Sequence, residues 1–144
     1  MEKEILYYKS LGKAFCPFLE REISFNSKGL NHLKFNGQGK ARTKTEREIR
    51  ISLLKYTDKI IEKSHTLQGV LVEEKEEKIR TENVTKIQIT KITFYEFMAI
   101  IDNKRIKVIL KQLNEGNIFF WSVIPFWKRV NGKRKINSIE KDEL

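Results

Sequence analysis

The chain has 144 residues, with 29 Lys or Arg against 19 Asp or Glu, and therefore a formal net charge of +10. This length predicts one domain with a hydrophobic core, and the 40% content of hydrophobic residues argues against a disordered polar tail. The charge predicts attraction to polyanions, of which nucleic acid is the commonest inside a cell.

The cysteine content and the two ends of the chain give information on the cellular compartment and on metal binding. Cys16 is the single cysteine, which excludes an internal disulfide and a cysteine-based zinc site, and we expect it to be a small buried residue. We expect no signal peptide and no membrane span, because no apolar run approaches roughly 18 residues. The terminal Lys-Asp-Glu-Leu at residues 141–144 resembles an ER-retention address, which has no effect outside the secretory lumen. The sequence predicts a cytoplasmic protein.

The first third of the chain predicts mostly irregular structure. Its one short alternating segment runs from Ile23 to Phe25, and Asn26, Ser27 and Gly29 follow as turn residues. A basic loop comes next.

One amphipathic helix stands out after this loop. Thr45 and Glu48 have the spacing of a capping box, which marks a helix start. Apolar residues then recur at helical intervals from Ile49 to Ile61. We expect the helix to end in "KSHTLQG", with Gly69 as the stop and His65 near its carboxyl end.

The rest of the chain predicts strands. The charge run "EEKEEKIRTEN" indicates a solvated hairpin tip or loop. The segments "VTKIQIT", "ITFYEFMAII", "RIKVILKQL" and "NIFFWSVIPFW" are rich in β-branched and aromatic residues. The expected fold is α+β: a helical or irregular amino-terminal region with one clear helix, packed on an antiparallel meander of three or four strands. Residues 1–130 are expected to form this domain, and residues 131–144 a charged, flexible tail.

Strand register predicts which side chains share a face. If Asn103–Lys104 and Glu115–Gly116 are two-residue turns, Glu96 lies opposite Lys111 and Ser122 lies beside Ile109. The apolar face then contains Tyr95, Phe97, Ala99, Ile101, Ile106, Val108, Leu110, Phe119, Trp121 and Val123. Trp121 is accordingly predicted to be core. The other face contains Glu96, Met98, Ile100, Lys107, Ile109, Lys111, Phe120, Ser122 and Ile124.

The segments "KGLNHLK", "KARTKTE", "RIKVILKQL" and "IFFWSVIP" resemble the barnase–EndoU–colicin–RelE superfamily of small ribonucleases, particularly its phage and mobile-element branches. The resemblance implies RNA cleavage without metal or cofactor, by attack of the 2′-hydroxyl on the adjacent phosphate. It also implies RNA as a partner, a phage or toxin-type role, and an antidote or immunity protein.

Carried over to this chain, the resemblance implies four catalytic residues. His32 is the proton-transfer group, because imidazole has the ordinary pKa closest to neutrality, although a half-buried loop histidine is the alternative. Arg42 would hold the phosphate. Ser122 would donate a hydrogen bond to it, and Glu96 is a second candidate base. No second imidazole completes the acid–base pair.

Six further residues are expected to contact nucleic acid, by charge or by stacking. They are Lys34, Lys40, Arg47, Lys107, Lys111 and Phe120. The same basic loop and polar face also fit a non-catalytic RNA- or DNA-binding module, with Phe120 stacking on a base. A third alternative is an interaction protein, such as a phage-carried inhibitor, whose charge is incidental.

Overall fold

The computed structural model describes residues 2–125 and residue 144. Four helices and six strands form an α+β fold, as predicted. In chain order they are α1 (Glu2–Leu11), β1 (Lys13–Cys16), β2 (Arg21–Ser24), α2 (Ser27–Lys34), α3 (Lys44–Ser52), α4 (Leu54–Glu62), β3 (Gly69–Thr81), β4 (Val84–Ile101), β5 (Lys104–Leu113) and β6 (Ile118–Pro125). The predicted extension of the last strand to Trp127, and all of the predicted tail except Leu144, lie outside the described residues.

The six strands form one sheet in the order β1-β2-β6-β5-β4-β3. An antiparallel meander is present as predicted, and its four strands are β3, β4, β5 and β6, each paired with its sequence neighbour. β3 was not among the predicted strand segments. The amino-terminal hairpin of β1 and β2 joins through a short parallel pairing, Ile23 with Ile118 and Ser24 with Phe119. None of the described helices is long and apolar enough to cross a membrane.

The prediction of an irregular first third was wrong, because α1, β1, β2 and α2 all lie there. Asn26 is not a turn residue but the N-cap of α2, where its side chain accepts hydrogen bonds from the backbone N–H groups of Lys28 and Gly29. Gly29 is inside the helix for a packing reason. A Cβ at this position would lie 2.4 Å from the backbone oxygen of Phe120, so glycine lets α2 approach β6 closely.

Gly29→Ala is expected to destabilise the protein by about 2–4 kcal/mol, because the added methyl group meets backbone as well as side-chain atoms. Urea unfolding of the variant measures the loss, and Asn31→Ala, at an exposed position of the same helix, is the control. A loss below about 0.5 kcal/mol, the usual range at surface positions, would contradict this close approach.

The single predicted helix is two helices, α3 and α4, which meet at Leu53. The predicted capping residue was displaced by two positions, since Thr43 rather than Thr45 is the N-cap and its hydroxyl accepts from Glu46 N–H at 3.2 Å. The helix end was also misplaced. α4 ends at Glu62, and Gly69 is the first residue of β3.

The main core lies between the helices and one face of the sheet, here called the core face. Tyr8, Phe25 and Phe120 form its aromatic centre, with ring centroids 5.6–5.8 Å apart. Cys16 is fully buried in the same cluster, as predicted.

The charge run, predicted to be a solvated hairpin tip or loop, is largely exposed, but only Glu82–Asn83 form the tip of a hairpin. Both residues have positive φ, 49° and 64°, which is typical of a type I′ turn. Most of the run belongs to β3, and the two segments predicted after it form one continuous strand, β4.

The turn between β4 and β5 is at Asp102–Asn103 rather than the predicted Asn103–Lys104, so Ile101 pairs with Lys104. Each predicted β4–β5 pair is therefore displaced by two residues, and Glu96 pairs with Ile109 instead of Lys111. A displacement of two keeps each side chain on its predicted face, because strand side chains alternate.

A β-bulge in β6 reverses three predicted side-chain directions, including that of Phe119, which pairs with Lys111 and lies on the face opposite to the predicted one. Ser122 pairs with Ile109, as predicted, but Leu110 pairs with Phe120, so Trp121 is an extra residue between the two pairs. Phe120 consequently lies on the core face and is fully buried. Trp121 lies on the opposite face, here called the groove face, where it packs against the cluster of Phe94, Ile109 and Ile124. The predictions of Trp121 as core and of Phe120 as an exposed stacking residue were both wrong.

Candidate functional site

An open groove of about 510 Å³ lies between α2, the loop that follows it, and strands β5 and β6. The loop, residues 35–41, is closed by a bridge between Phe35 and Ala41 and by the Asn36 side chain, which accepts from two backbone N–H groups. The residues that line the groove are Lys28, Asn31, His32, Phe35, Asn36, Gly37, Gly39, Lys111, Leu113, Phe119 and Trp121. A second cavity of about 570 Å³ continues from it along β4 and shares Lys111 and Trp121.

Trp121 is at the centre of the groove, with a titratable group on each side of its ring. The imidazole of His32 stacks on the indole with ring centroids 4.1 Å apart and 20° between the planes. The Nζ atom of Lys111 lies 3.7 Å from the indole centroid, in cation–π contact. Two groups at these distances would overlap on one face of an indole, so imidazole and ammonium lie on opposite faces.

Lys111 is electrostatically unusual. Its partial burial lowers the pKa of the ammonium group below the ordinary lysine value, and the positive charges of Lys28 and Lys75 lower it further, against the opposing effect of Glu73. Lys28 itself lies at the groove wall, 5.4 Å above the ring of Phe119. The groove therefore contains two lysines close enough to repel each other.

Arg42 lies behind His32 rather than in the groove, and its side chain is only 5% exposed. Its Nε donates to the His32 backbone oxygen at 3.0 Å, and its Nη2 is 3.2 Å from His32 Nε2. Because a guanidinium can only donate, Nε2 accepts in this contact, which assigns the ring proton to Nδ1. Arg42 thus fixes both the position and the tautomer of His32.

Arg50 and Glu46 extend this support to the sheet. Glu46 Oε1 accepts from Arg42 Nη1 at 2.9 Å and from Arg50 Nη2 at 3.1 Å. Arg50, itself buried, donates from Nη1 to Ser122 Oγ at 2.8 Å. A continuous chain of polar contacts therefore runs from Ser122 on β6 through α3 to His32.

Glu96 and Lys107 form a buried ion pair on the groove face. Lys107 Nζ is 3.6 Å from Glu96 Oε2, and the two side chains are 2% and 1% exposed. The prediction of Lys111 opposite Glu96 was wrong: Glu96 pairs with Ile109 along the backbone, and its ion-pair partner is Lys107, four residues before Lys111 on β5. Burial removes both residues from direct contact with a bound polymer in this conformation.

Of the ten predicted site residues, only His32 and Lys111 line the groove. Arg42 and Ser122 lie behind it as supports, while Glu96, Lys107 and Phe120 are buried. Lys34 ends α2 half-buried, Lys40 is exposed in the loop, and Arg47 is half-buried on α3, all outside the groove lining.

Sequence reasoning missed Trp121, Lys28, Phe35 and the Glu46–Arg50 support. The bulge that turns Trp121 outward has no signal in the sequence. The Glu46–Arg50 support does have a sequence signal. Arg42, Glu46 and Arg50 follow one another at four-residue spacing with alternating charge, which is the pattern of ion pairs on a helix face.

No family model, curated protein or solved structure matches the chain. Within residues 2–125 and residue 144, no three His, Cys, Asp or Glu side chains are grouped so that they could hold a metal ion. The groove geometry and its charges are thus the basis for a functional proposal.

Proposed function

We propose that the protein binds RNA in this groove and cleaves it without a metal ion, by attack of the 2′-hydroxyl on the adjacent phosphate. The observation that carries the proposal is the arrangement of His32 and Lys111 on the two faces of Trp121. This chemistry needs one group that accepts a proton and one that donates a proton, on either side of a phosphate. A phosphate bound at the indole edge would lie between them.

In the proposed step His32 accepts one proton and Lys111 donates one. His32 Nε2, once released from its contact with Arg42 Nη2, accepts the proton of the 2′-hydroxyl while O2′ forms a bond to phosphorus. The P–O5′ bond breaks, and the Lys111 ammonium gives its proton to O5′. The products are a 2′,3′-cyclic phosphate and a 5′-hydroxyl end, and solvent then restores both residues.

Positive charge around the groove supports the same proposal. The transition state places extra negative charge on the phosphate oxygens, which fixed cations stabilise. Lys28 and Lys111 reach the groove directly, and the lowered pKa of Lys111 brings its acidity closer to neutral pH, where a general acid is most effective. With the resemblance to small ribonucleases, we extend the proposal to a cytoplasmic phage- or toxin-type nuclease controlled by an antidote protein.

A second function has an observation in its favour. His32 is only 4% exposed and its Nε2 already faces Arg42, which fits a histidine that shapes the groove without transferring protons. The protein would then be a non-catalytic module that binds single-stranded RNA through basic and aromatic side chains.

Incubation of the purified protein with end-labelled RNA in excess EDTA tests the proposal. Fragments that end in 2′,3′-cyclic phosphate are the expected result. Intact RNA that is nevertheless retarded on a native gel would replace the nuclease with the binding module, and intact, unretarded RNA would overturn both.

Phe35→Ala is expected to weaken RNA binding about tenfold, because this ring is 44% exposed at the groove and can stack on a base, whereas both faces of Trp121 are occupied. Fluorescence anisotropy with a short single-stranded RNA measures the change. Phe15→Ala is the matched control, since Phe15 is similarly exposed on the edge strand β1, which contributes no residue to the groove lining. Equal affinities of the two variants would contradict the stacking role.

A further inference from the structure

Strands β3 and β4 extend as a two-stranded ribbon, here called the arm (residues 74–89), in which every residue is exposed. Its exposed residues include Ile79, Ile87 and Ile89, at 40%, 64% and 55%. A two-stranded ribbon has little stability alone in water, and three or more strands are usually needed. Pairing with a further strand would therefore stabilise the arm.

The outer edge of β3 is open, since β3 ends the strand order of the described sheet. In a type I′ hairpin the residues that flank the turn, here Thr81 and Val84, form a hydrogen-bonded pair. Alternation along the strand then directs the backbone N–H and C=O groups of even-numbered β3 residues to the open edge. These groups are available to pair with another strand.

Side-chain charges along this edge are complementary to themselves. The even-numbered residues are, in order, Glu74, Glu76, Lys78 and Arg80. If two β3 strands pair antiparallel about Glu77, each Glu76 lies opposite Lys78 of the other copy. Each Glu74 then lies opposite Arg80. Edge charges of one sign prevent such pairing, whereas this order provides four cross-strand ion pairs.

The neighbouring β4 side chains fit the same register. Ile87 pairs with Lys78 and Ile89 pairs with Glu76 within one copy, so each central ion pair would be flanked by isoleucines from both copies. On the opposite face the two Glu77 carboxylates meet at the symmetry axis. Lys75, 3.5 Å from Glu77 in each copy, offsets their repulsion.

We propose that two copies of the protein associate through the open edges of β3, which joins their six-stranded sheets into one continuous sheet. The interface is isologous, as is usual for homodimers, and none of the even-numbered edge residues of β3 lines the groove of the function proposed above. The occupant is a second copy because the charge order matches itself in antiparallel pairing.

Light scattering across a concentration series tests the association, with twice 17.1 kDa as the expected mass at high concentration. Lys78→Glu/Arg80→Glu gives an all-acidic edge and Glu74→Lys/Glu76→Lys an all-basic edge, so each variant alone is expected to be monomeric. Mixing the two variants is expected to restore a dimer, which excludes misfolding as the cause. A monomeric wild type, or charge-changed variants that still dimerise alone, would overturn the proposal.

Disulfide cross-linking tests the register. Glu77→Cys places two thiols in a non-hydrogen-bonded antiparallel pair, where side chains are closest, and oxidation is expected to link the copies rapidly. Native Cys16 is fully buried and does not interfere. Glu76→Cys is the neighbouring control. Faster cross-linking at Glu76→Cys than at Glu77→Cys would overturn pairing about Glu77.

Discussion

Lys111→Arg is expected to lower the rate of RNA cleavage by about 10²–10⁴-fold while RNA affinity changes little. Arginine keeps a positive charge over the indole of Trp121, but a guanidinium does not release its proton near neutral pH. Single-turnover cleavage and equilibrium binding of the same RNA measure the two effects separately. Lys111→Ala, which also removes the charge, is expected to weaken both.

The pH dependence provides a second readout of the same residue. If the Lys111 ammonium is the general acid, cleavage decreases as the pH rises through the pKa of Lys111, which lies below the ordinary lysine value. Lys28→Ala removes one of the charges that lower this pKa, so the alkaline limb of kcat is expected to move to higher pH. An alkaline limb unchanged in Lys28→Ala, or a Lys111→Arg variant that cleaves normally, would contradict the role of Lys111.

Lys107→Met is expected to destabilise the fold by about 3–5 kcal/mol, because it leaves the Glu96 carboxylate without its lysine partner at a site that water does not reach. Urea unfolding measures the loss, and the double variant Glu96→Leu/Lys107→Met is expected to recover most of it by removing both charges. Lys44→Met breaks the exposed Lys44–Glu48 pair and is the matched control, with an expected cost under 1 kcal/mol.

The result that would contradict this account is a Lys107→Met variant as stable as Lys44→Met. The pair would then contribute no more than a solvated surface contact. A double variant less stable than Lys107→Met alone would instead show that the two charges do not depend on each other.

The fold class could be predicted because the strand segments and the amphipathic stripe from Ile49 to Ile61 carry strong periodic signals. The amino-terminal elements could not, since α2 is short and depends on contacts with distant residues. Gly29 has the signature of a turn in the sequence, yet its function is to admit the backbone of Phe120, 91 positions further along the chain. Only the assembled fold reveals such a contact.

The candidate site could be predicted only in part, because local residue patterns indicate some of its side chains and the assembled fold determines the others. His32 and Lys111 were identified from residue type and face, because alternation along β5 fixes the direction of Lys111 even when the register is displaced by two. One inserted residue at Trp121 reversed the neighbouring directions, and so the sequence assigned the aromatic role to Phe120 instead. The sequence also did not indicate how deeply each side chain is buried, as the buried positions of Glu96 and Ser122 show.

The most direct test of the central claim compares His32→Ala with His65→Ala, in which the replaced histidine is exposed three residues beyond α4. Cleavage of labelled RNA in EDTA and retardation of the same RNA are measured together. We predict that His32→Ala loses cleavage by at least about 10²-fold and still binds RNA, while His65→Ala behaves as the wild type. Equal cleavage by both variants would contradict the proposal that His32 transfers a proton in this groove.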